Sequence, residues 1–341
     1  MVFEVVAVFV VLLTAIAITR GVSTGQAPQS NGSVPAELTA RVEPGVVDVD
    51  STLGLQSAEA AGTGMVLSSS GEVLTNNHVV NGATNVKVTV VGNGRSYSAV
   101  VVGTDASHDV AVLRLEGASG LATVPIGNSA SVSVGDAVVA LGNAGGVGGK
   151  PSTASGSVTA LNQSITATDP DGLSEQLSGM IQTDAPIQPG DSGGPLINRG
   201  GNVVGMNTAA SNGYTMQAGA EAGFSIPINT ALAVAAQIEA GKTSPTIHIG
   251  PAVFLGIAVQ DTPNGSGAEI VGVFDGSPAE NAGLSEGDVV TSIDGQPVNS
   301  ASDLTNDLRA FHPGDSVTLG WIDQSGQQHA GHIQLVTGPA D

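Results

Sequence analysis

Between Val42 and Ser225 the chain repeats one pattern: short runs of β-branched and small apolar residues, each broken by Gly, Asn or Asp. The runs are "VVDVD", "GTGMVLS", "GEVLTNN", "NVKVTVV", "SAVVVG", "VAVLRL", "DAVVALG", "GSVTAL", "NVVGMN" and "GFSIP". Ten segments at this spacing, with no helical periodicity between them, make this region all-β, a sandwich or a set of barrels. Composition agrees, because 48 of 341 residues are Gly and aromatics are 3%, while 41% of the chain is hydrophobic. A chain this apolar buries a core, and its glycines suit the many tight turns that short strands require.

The first clear helix is "NTALAVAAQIEAGK", Asn229 to Lys242, where apolar residues recur at helical spacing, Asn229 can cap the start and Gly241 can close the end. "GKTSPTIHIGP" then reads as a linker, about residues 242–251. Residues 252–339 form a second, smaller unit, rich in short strands, with one or two helices including "SASDLTNDLRAF". At the other end, "VVAVFVVLLTAIAI" (Val5 to Ile18) is shorter than the roughly 20 residues that span a bilayer, and is expected to be a signal peptide or signal anchor. Glu4 stands where a basic flank is usual, and a buried helix or a true membrane anchor are the other readings of this run. "TRGVSTGQAPQSNGSVPAE" follows as a polar tether, so residues 1–37 are leader and linker and the remainder is expected outside the cytoplasm, secreted or in the cell envelope.

Acidic residues outnumber basic ones 30 to 9, for a net charge of −21, and such a field repels a phosphate backbone, so no nucleic-acid partner is expected. The absence of cysteine removes disulfides, thiolate nucleophiles and cysteine-ligated metals. "TDPDG" (Thr168 to Gly172) reads as a turn rather than a calcium site, and no metal or cofactor is called for.

"PGDSGGP" surrounds one hydroxyl, Ser192, with residues that permit unusual backbone conformations. Gly190 and Gly193 can turn the chain so that the N–H groups of Gly190 and Ser192 point into one concavity, as donors for an oxyanion. Acyl transfer through serine also needs a base and a carboxylate to orient it. Of six histidines, His78 in "VLTNNHVV" lies at a strand end where a ring can face a cleft. His108 adjoins Asp109, but neighbours along a strand point to opposite faces, so Asp109 is expected to serve His78 instead. His248, His312, His329 and His332 lie beyond the β-rich half. Asp109 precedes the apolar run of "SHDVAVLRL", where a charge must be paired to be tolerated. Asp105 reads as a turn residue, and Asp191 as a shaper of the serine loop.

The order His78, Asp109, Ser192 is that of double-β-barrel serine proteases. "AGTGMVLSSSGEVLTNNHVV", "DVAVLRL", "ALGNAGG" and "QTDAPIQPGDSGGPLINRGGNVVGMNTAA" resemble the HtrA/DegP family of bacterial proteases, and its actinobacterial secreted members most, over about residues 40–340. The resemblance implies a chymotrypsin-like fold of two perpendicular six-stranded barrels, about Val42–Ile126 and Val132–Pro227 within a protease domain of residues 38–241, with the active site between them. It implies His78 as general base, Asp109 as its orienting carboxylate, Ser192 as nucleophile, and Gly190 and Ser192 as oxyanion donors. Pro186 and Ile187 then stand at the base of the specificity pocket without an acid. Ile187, Met206, Asn207 and Thr208 outline a shallow apolar pocket, which implies cleavage after small aliphatic residues.

"FLGIAVQ" and "GLSEGDVVTSIDGQPV" in turn resemble a PDZ domain of the same family, with Phe254, Leu255, Gly256 and Ile257 matching its carboxylate-binding loop. Expected partners are therefore unfolded proteins or peptides at the cleft and peptide C-termini at the PDZ loop. Family members commonly trimerise through aromatic residues near the start of the protease domain. The stretch Val34 to Asp50 has none, which leaves a homo-oligomer open. Activation through the loop from Ser211 to Gly223 by peptide on the PDZ domain is a further expectation. The rival functions are a peptide-binding module or chaperone of weak catalysis and an esterase, although no lipase-type G-x-S-x-G elbow is present.

Overall fold

The computed structural model describes residues 36–168, 174–208, 215–217, 222–263 and 265–340. The apolar run at Val5–Ile18, most of the turn at Thr168–Gly172 and most of the loop from Ser211 to Gly223 lie outside the described residues. Helix α1 (Ala36–Val42) begins inside the segment expected to be tether. It forms there because Leu38 and Val42 have an apolar partner, the core of the protease unit.

Six strands close the first barrel: β1 (Val46–Leu53), β2 (Ala58–Val66), β3 (Glu72–Thr75), β4 (Asn85–Val90), β5 (Arg95–Asp105) and β6 (Val110–Leu115). Their order is β5-β4-β1-β2-β3-β6, and β5 pairs with β6 to complete the ring. The period-2 signal is read directly in β4, where Val86, Val88 and Val90 are buried and Asn85 and Lys87 are exposed. A register shift between Val101 and Gly103 interrupts the β5–β6 pairing, the irregularity that lets one long strand serve two neighbours. The one-turn helix α2 (Asn77–Val80) links β3 to β4.

The second barrel contains β7 (Ala137–Gly142), β8 (Ser152–Thr168), β9 (Ser174–Thr183), β10 (Pro195–Asn198), β11 (Val203–Thr208), β12 (Thr215–Gln217) and β13 (Gly223–Pro227). Six of them run β8-β7-β10-β11-β13-β9 and close through β8–β9, while β12 adds to the outer side of β8. Strands β9, β10 and β12 are absent from the ten runs seen in the sequence. Pro195 opens β10, and β9 sets its buried Leu177, Met180 and Ile181 among polar neighbours while pairing with β8 and β13.

Helix α3 (Ile228–Glu239) packs Ile228, Ala231, Val234, Ala235 and Ile238 into the main core, and the chain leaves it with Gly241 N–H on Ile238 O at 3.0 Å. Asn229 does not cap it. Pro227 occupies the cap position, and the Asn229 amide instead donates to Asn128 Oδ1 at 2.7 Å, tying the helix to the connection between barrels. The expected linker is also partly structured. β14 (Ile247–Ile249) adds to the edge of β5, because Ile247 and Ile249 are apolar and pack on the same core as α3.

The C-terminal unit pairs β15 (Val253–Phe254) with the last strand and builds a second sheet from β16 (Ile257–Asp261), β17 (Ala268–Val273), β18 (Val289–Ile293), β19 (Gln296–Pro297), β20 (Ser316–Ile322) and β21 (Gln328–Gln334). The last strand is β22 (Val336–Thr337). Two helices lie over this sheet, α4 (Pro278–Asn281) and α5 (Ala301–Leu308), and each starts on a serine side chain that accepts from a main-chain N–H. Ser277 accepts from Glu280 at 3.1 Å and Ser300 from Asp303 at 3.0 Å. Their core holds Leu255, Ile270, Leu304, Leu319 and Trp321.

Candidate active site

The end of β3 delivers His78. Asn76 is extended, the chain turns into α2, and the His78 N–H donates to Asp109 Oδ1 at 3.0 Å. The ring follows the main chain: Nδ1 lies 3.0 Å from Oδ1 and 2.9 Å from Oδ2 of the same carboxylate. Asp109 closes the short turn Ala106–His108 in a left-handed conformation, φ 52° and ψ 49°, which directs its side chain differently from that of His108. His108 faces Asp105, with Nδ1 2.9 Å from Oδ2, and Asp105 also caps the turn as a local residue. The expected split between His108 and Asp109 is present, but a left-handed turn makes it rather than strand alternation, because β6 begins only at Val110.

Asp109 is 2% exposed. A carboxylate so buried must be hydrogen-bonded to be tolerated, and besides both His78 donors it receives the Thr208 hydroxyl at 3.1 Å. Holding Nδ1 as the protonated nitrogen leaves Nε2 as the basic atom of the ring.

Ser192 belongs to the turn between β9 and β10. Gly190 has φ +96° and Gly193 φ +83°. A Cβ on Gly190 would strike the Asn143 carbonyl, and one on Gly193 the Thr63 carbonyl and Thr75 hydroxyl, so both positions need glycine for close approach as well as for φ. Asp191 points away from the cleft. Its carboxylate accepts from Gln188 N–H at 2.9 Å and Ser152 Oγ at 3.0 Å, and burial raises its pKa above the ordinary carboxylate range. It shapes the loop, as its position before the serine suggests. His78, Gly190 and Ser192 line one cleft of about 990 Å³, bordered also by Ala61, Gly145, Gly146 and Pro189.

The four residues expected around a specificity pocket separate. Ile187 is half-buried beside Gly223, where an added Cβ would meet its Cγ1 and Cδ1 at 2.9 Å. Met206 is fully buried in the main core. The Asn207 amide donates to Leu141 O at 3.2 Å and Pro195 O at 3.3 Å, and its Oδ1 accepts from Ser225 at 3.1 Å. Thr208 serves Asp109. Strand β11 thus spends these side chains on the core and the site's frame, and of the four only Ile187 stays clear of both, with residues 209–214 outside the described residues. The Thr208 contact is 99 residues long-range, and no local signal in the sequence announces it.

In the C-terminal unit Phe254, Leu255, Gly256 and Ile257 bridge β15 and β16. The Leu255 carbonyl accepts from Ala279 N–H at 2.9 Å, and the Gly256 carbonyl from Phe274 N–H at 3.0 Å. In trans peptide planes, carbonyls held in this way aim the N–H groups of Gly256 and Ile257 in the opposite direction. Gly256 has φ +86°, and a Cβ there would collide with Ser277. Half-buried Ile257 and Val259 of β16 and Leu308 of α5 border this end of the sheet.

The trypsin-like peptidase domain family matches residues 62–206, and the PDZ domain family matches residues 253–324. The chain is 38% identical over 324 residues to the serine protease PepD of Mycobacterium tuberculosis, covering 91% of this chain and 67% of that protein. It is 36% identical over 282 residues to the periplasmic pH-dependent serine endoprotease DegQ of Escherichia coli, covering 78% of this chain and 57% of that protein. The chain thus spans about two thirds of one relative's length and less of the other's. Among solved structures, the HtrA-type protease AlgW with a tripeptide superimposes with a TM-score of 0.52 at 29% identity, over 90% of this chain and 98% of that one.

Proposed function

This chain belongs to the HtrA/DegP-type serine proteases, a trypsin-like peptidase unit followed by a PDZ domain, and from that membership we propose that it is an exported endopeptidase of unfolded proteins acting through His78, Asp109 and Ser192. The observation that carries the proposal is the doubly bonded His78–Asp109 pair beside the cleft that Ser192 and Gly190 share.

In the proposed reaction His78 Nε2 takes the proton of Ser192 Oγ as that oxygen bonds to the scissile carbonyl carbon. The carbonyl electrons move onto oxygen, where the N–H groups of Gly190 and Ser192 receive the charge. His78 then gives its proton to the leaving amine as the C–N bond breaks. Water repeats the sequence on the acyl ester and restores the serine. Asp109 stays ionised, holding the ring and balancing the imidazolium, with Thr208 fixing one carboxylate oxygen.

Ile187 over Gly223 favours a small aliphatic side chain before the scissile bond, such as Val, Ala or Ile. The loop Phe254–Ile257 takes a peptide C-terminus, for substrate capture or regulation. An extracytoplasmic location follows the apolar run at Val5–Ile18 and the periplasmic description of the relative DegQ.

Casein hydrolysis tests the proposal. The chain should degrade casein and Ser192→Ala should not. Binding of casein without cleavage by the unsubstituted chain would instead favour a PDZ-based peptide-binding protein.

A further inference from the structure

Two peptide planes flank Gly190, and each is held by its carbonyl. Pro189 O accepts the Gly145 N–H at 2.8 Å, and Gly190 O accepts the Thr63 hydroxyl at 2.7 Å. A trans peptide carries its N–H opposite its C=O, and no peptide bond of the described residues is cis. Fixing Pro189 O against Gly145 therefore turns the Gly190 N–H the other way, away from Gly145, at a residue that lines the cleft.

Thr63 lies within β2, fully buried, and comes from the opposite barrel. Its hydroxyl donates to Gly190 O and accepts the Asn143 N–H at 2.8 Å, so both roles are filled and the hydroxyl has one orientation. Asn143 directly precedes the turn Ala144–Gly146, which supplies the Gly145 N–H. The Thr63 N–H donates to Ser192 O at 2.8 Å, and its own carbonyl accepts from Thr75 Oγ1 at 2.6 Å. One residue of the first barrel thus ties together Asn143, Gly190 and Ser192 of the second.

We propose that Thr63 is a positioning residue for the oxyanion site: its hydroxyl locks the Asn143 and Gly190 main chains in register, so that the Gly190 and Ser192 N–H groups converge on one point. A carbonyl left buried without its donor costs free energy, and the simplest relief for Gly190 O is rotation of the neighbouring planes, which takes the donors out of line. The inference rests on the proposed hydrolysis at Ser192, and predicts a defect confined to the tetrahedral state.

The test uses the full chain, a short chromogenic peptide, a peptide boronate that forms a tetrahedral adduct with serine, and the cleaved product peptide as ground-state ligand. Thr63→Val keeps the shape and removes the hydroxyl. It should lower kcat at least roughly tenfold with KM within about twofold, and weaken the boronate by a similar factor while sparing the product peptide, in line with the loss of oxyanion donors elsewhere. Thr63→Ser should restore kcat to within about threefold. Should the valine variant fail to fold, Thr63→Ala must show the same split. An unchanged kcat in the valine or alanine variant, or equal losses for boronate and product, overturns the role of Thr63. Failure of the unsubstituted chain to turn over the peptide or bind the boronate overturns the hydrolytic reading itself.

Discussion

The Asp109 carboxylate holds His78 by two groups at once, the main-chain N–H at 3.0 Å and the ring Nδ1 at 2.9 Å. Position and tilt of the imidazole are thereby set by one side chain 31 residues away. Asp109→Asn keeps the shape but places an amide donor against the ring and favours the wrong tautomer. The expected loss is on the order of 10³–10⁴-fold in kcat. Thr208→Val removes the second support of that carboxylate and should cost roughly tenfold. Steady-state kinetics on one peptide measure both, and native kcat in the asparagine variant would remove Asp109 from the reaction.

Ile187 faces Gly223 at the proposed pocket. Ile187→Ala opens that space, so preference should move from Val or Ala toward Leu or Phe before the scissile bond. A few methylene groups in an apolar pocket discriminate by roughly tenfold or more. Cleavage profiling on a peptide library reads the ratio, and an unmoved profile would place the pocket elsewhere.

Glu72 at the start of β3 has its pKa raised from 4.5 to about 7 by burial, then by a hydrogen bond and charge repulsion from Glu239 at the end of α3, opposed by Arg114. The folded protein thus holds a proton that the unfolded chain releases. That contribution to stability is complete below about pH 4.5 and is lost as pH rises to about 7. Glu72→Gln should be less sensitive than the native chain over this window, and above it should be the more stable of the two. Denaturant melts at several pH values decide, and parallel pH profiles would show that the pair is not shared.

Much of this site is legible in the sequence because its signals are local. The repeated Val runs announce strands and "PGDSGGP" announces a crowded turn, whereas Asp109 parts from His108 through a left-handed turn that strand alternation does not describe. What stays hidden depends on contacts across the fold. Strand β9 sets its buried Leu177, Met180 and Ile181 among polar neighbours and takes its place between β8 and β13, and β14 sits in a stretch that reads as linker until the edge of β5 is there to receive it. Asn229 looks like a cap because its type suits one, yet Asn128 takes its amide. Thr208 and Met206 face the interior once β11 has its register, which no window of sequence supplies.

The most direct measurement is covalent labelling with a fluorophosphonate, followed by peptide mapping of the adduct. The proposed triad of His78, Asp109 and Ser192 predicts one phosphonyl group per chain, on Ser192, formed rapidly in the native protein, far more slowly in Asp109→Asn, and not at all in His78→Ala or Ser192→Ala. An adduct on another serine, or labelling of Ser192 that proceeds as fast without His78, would contradict it.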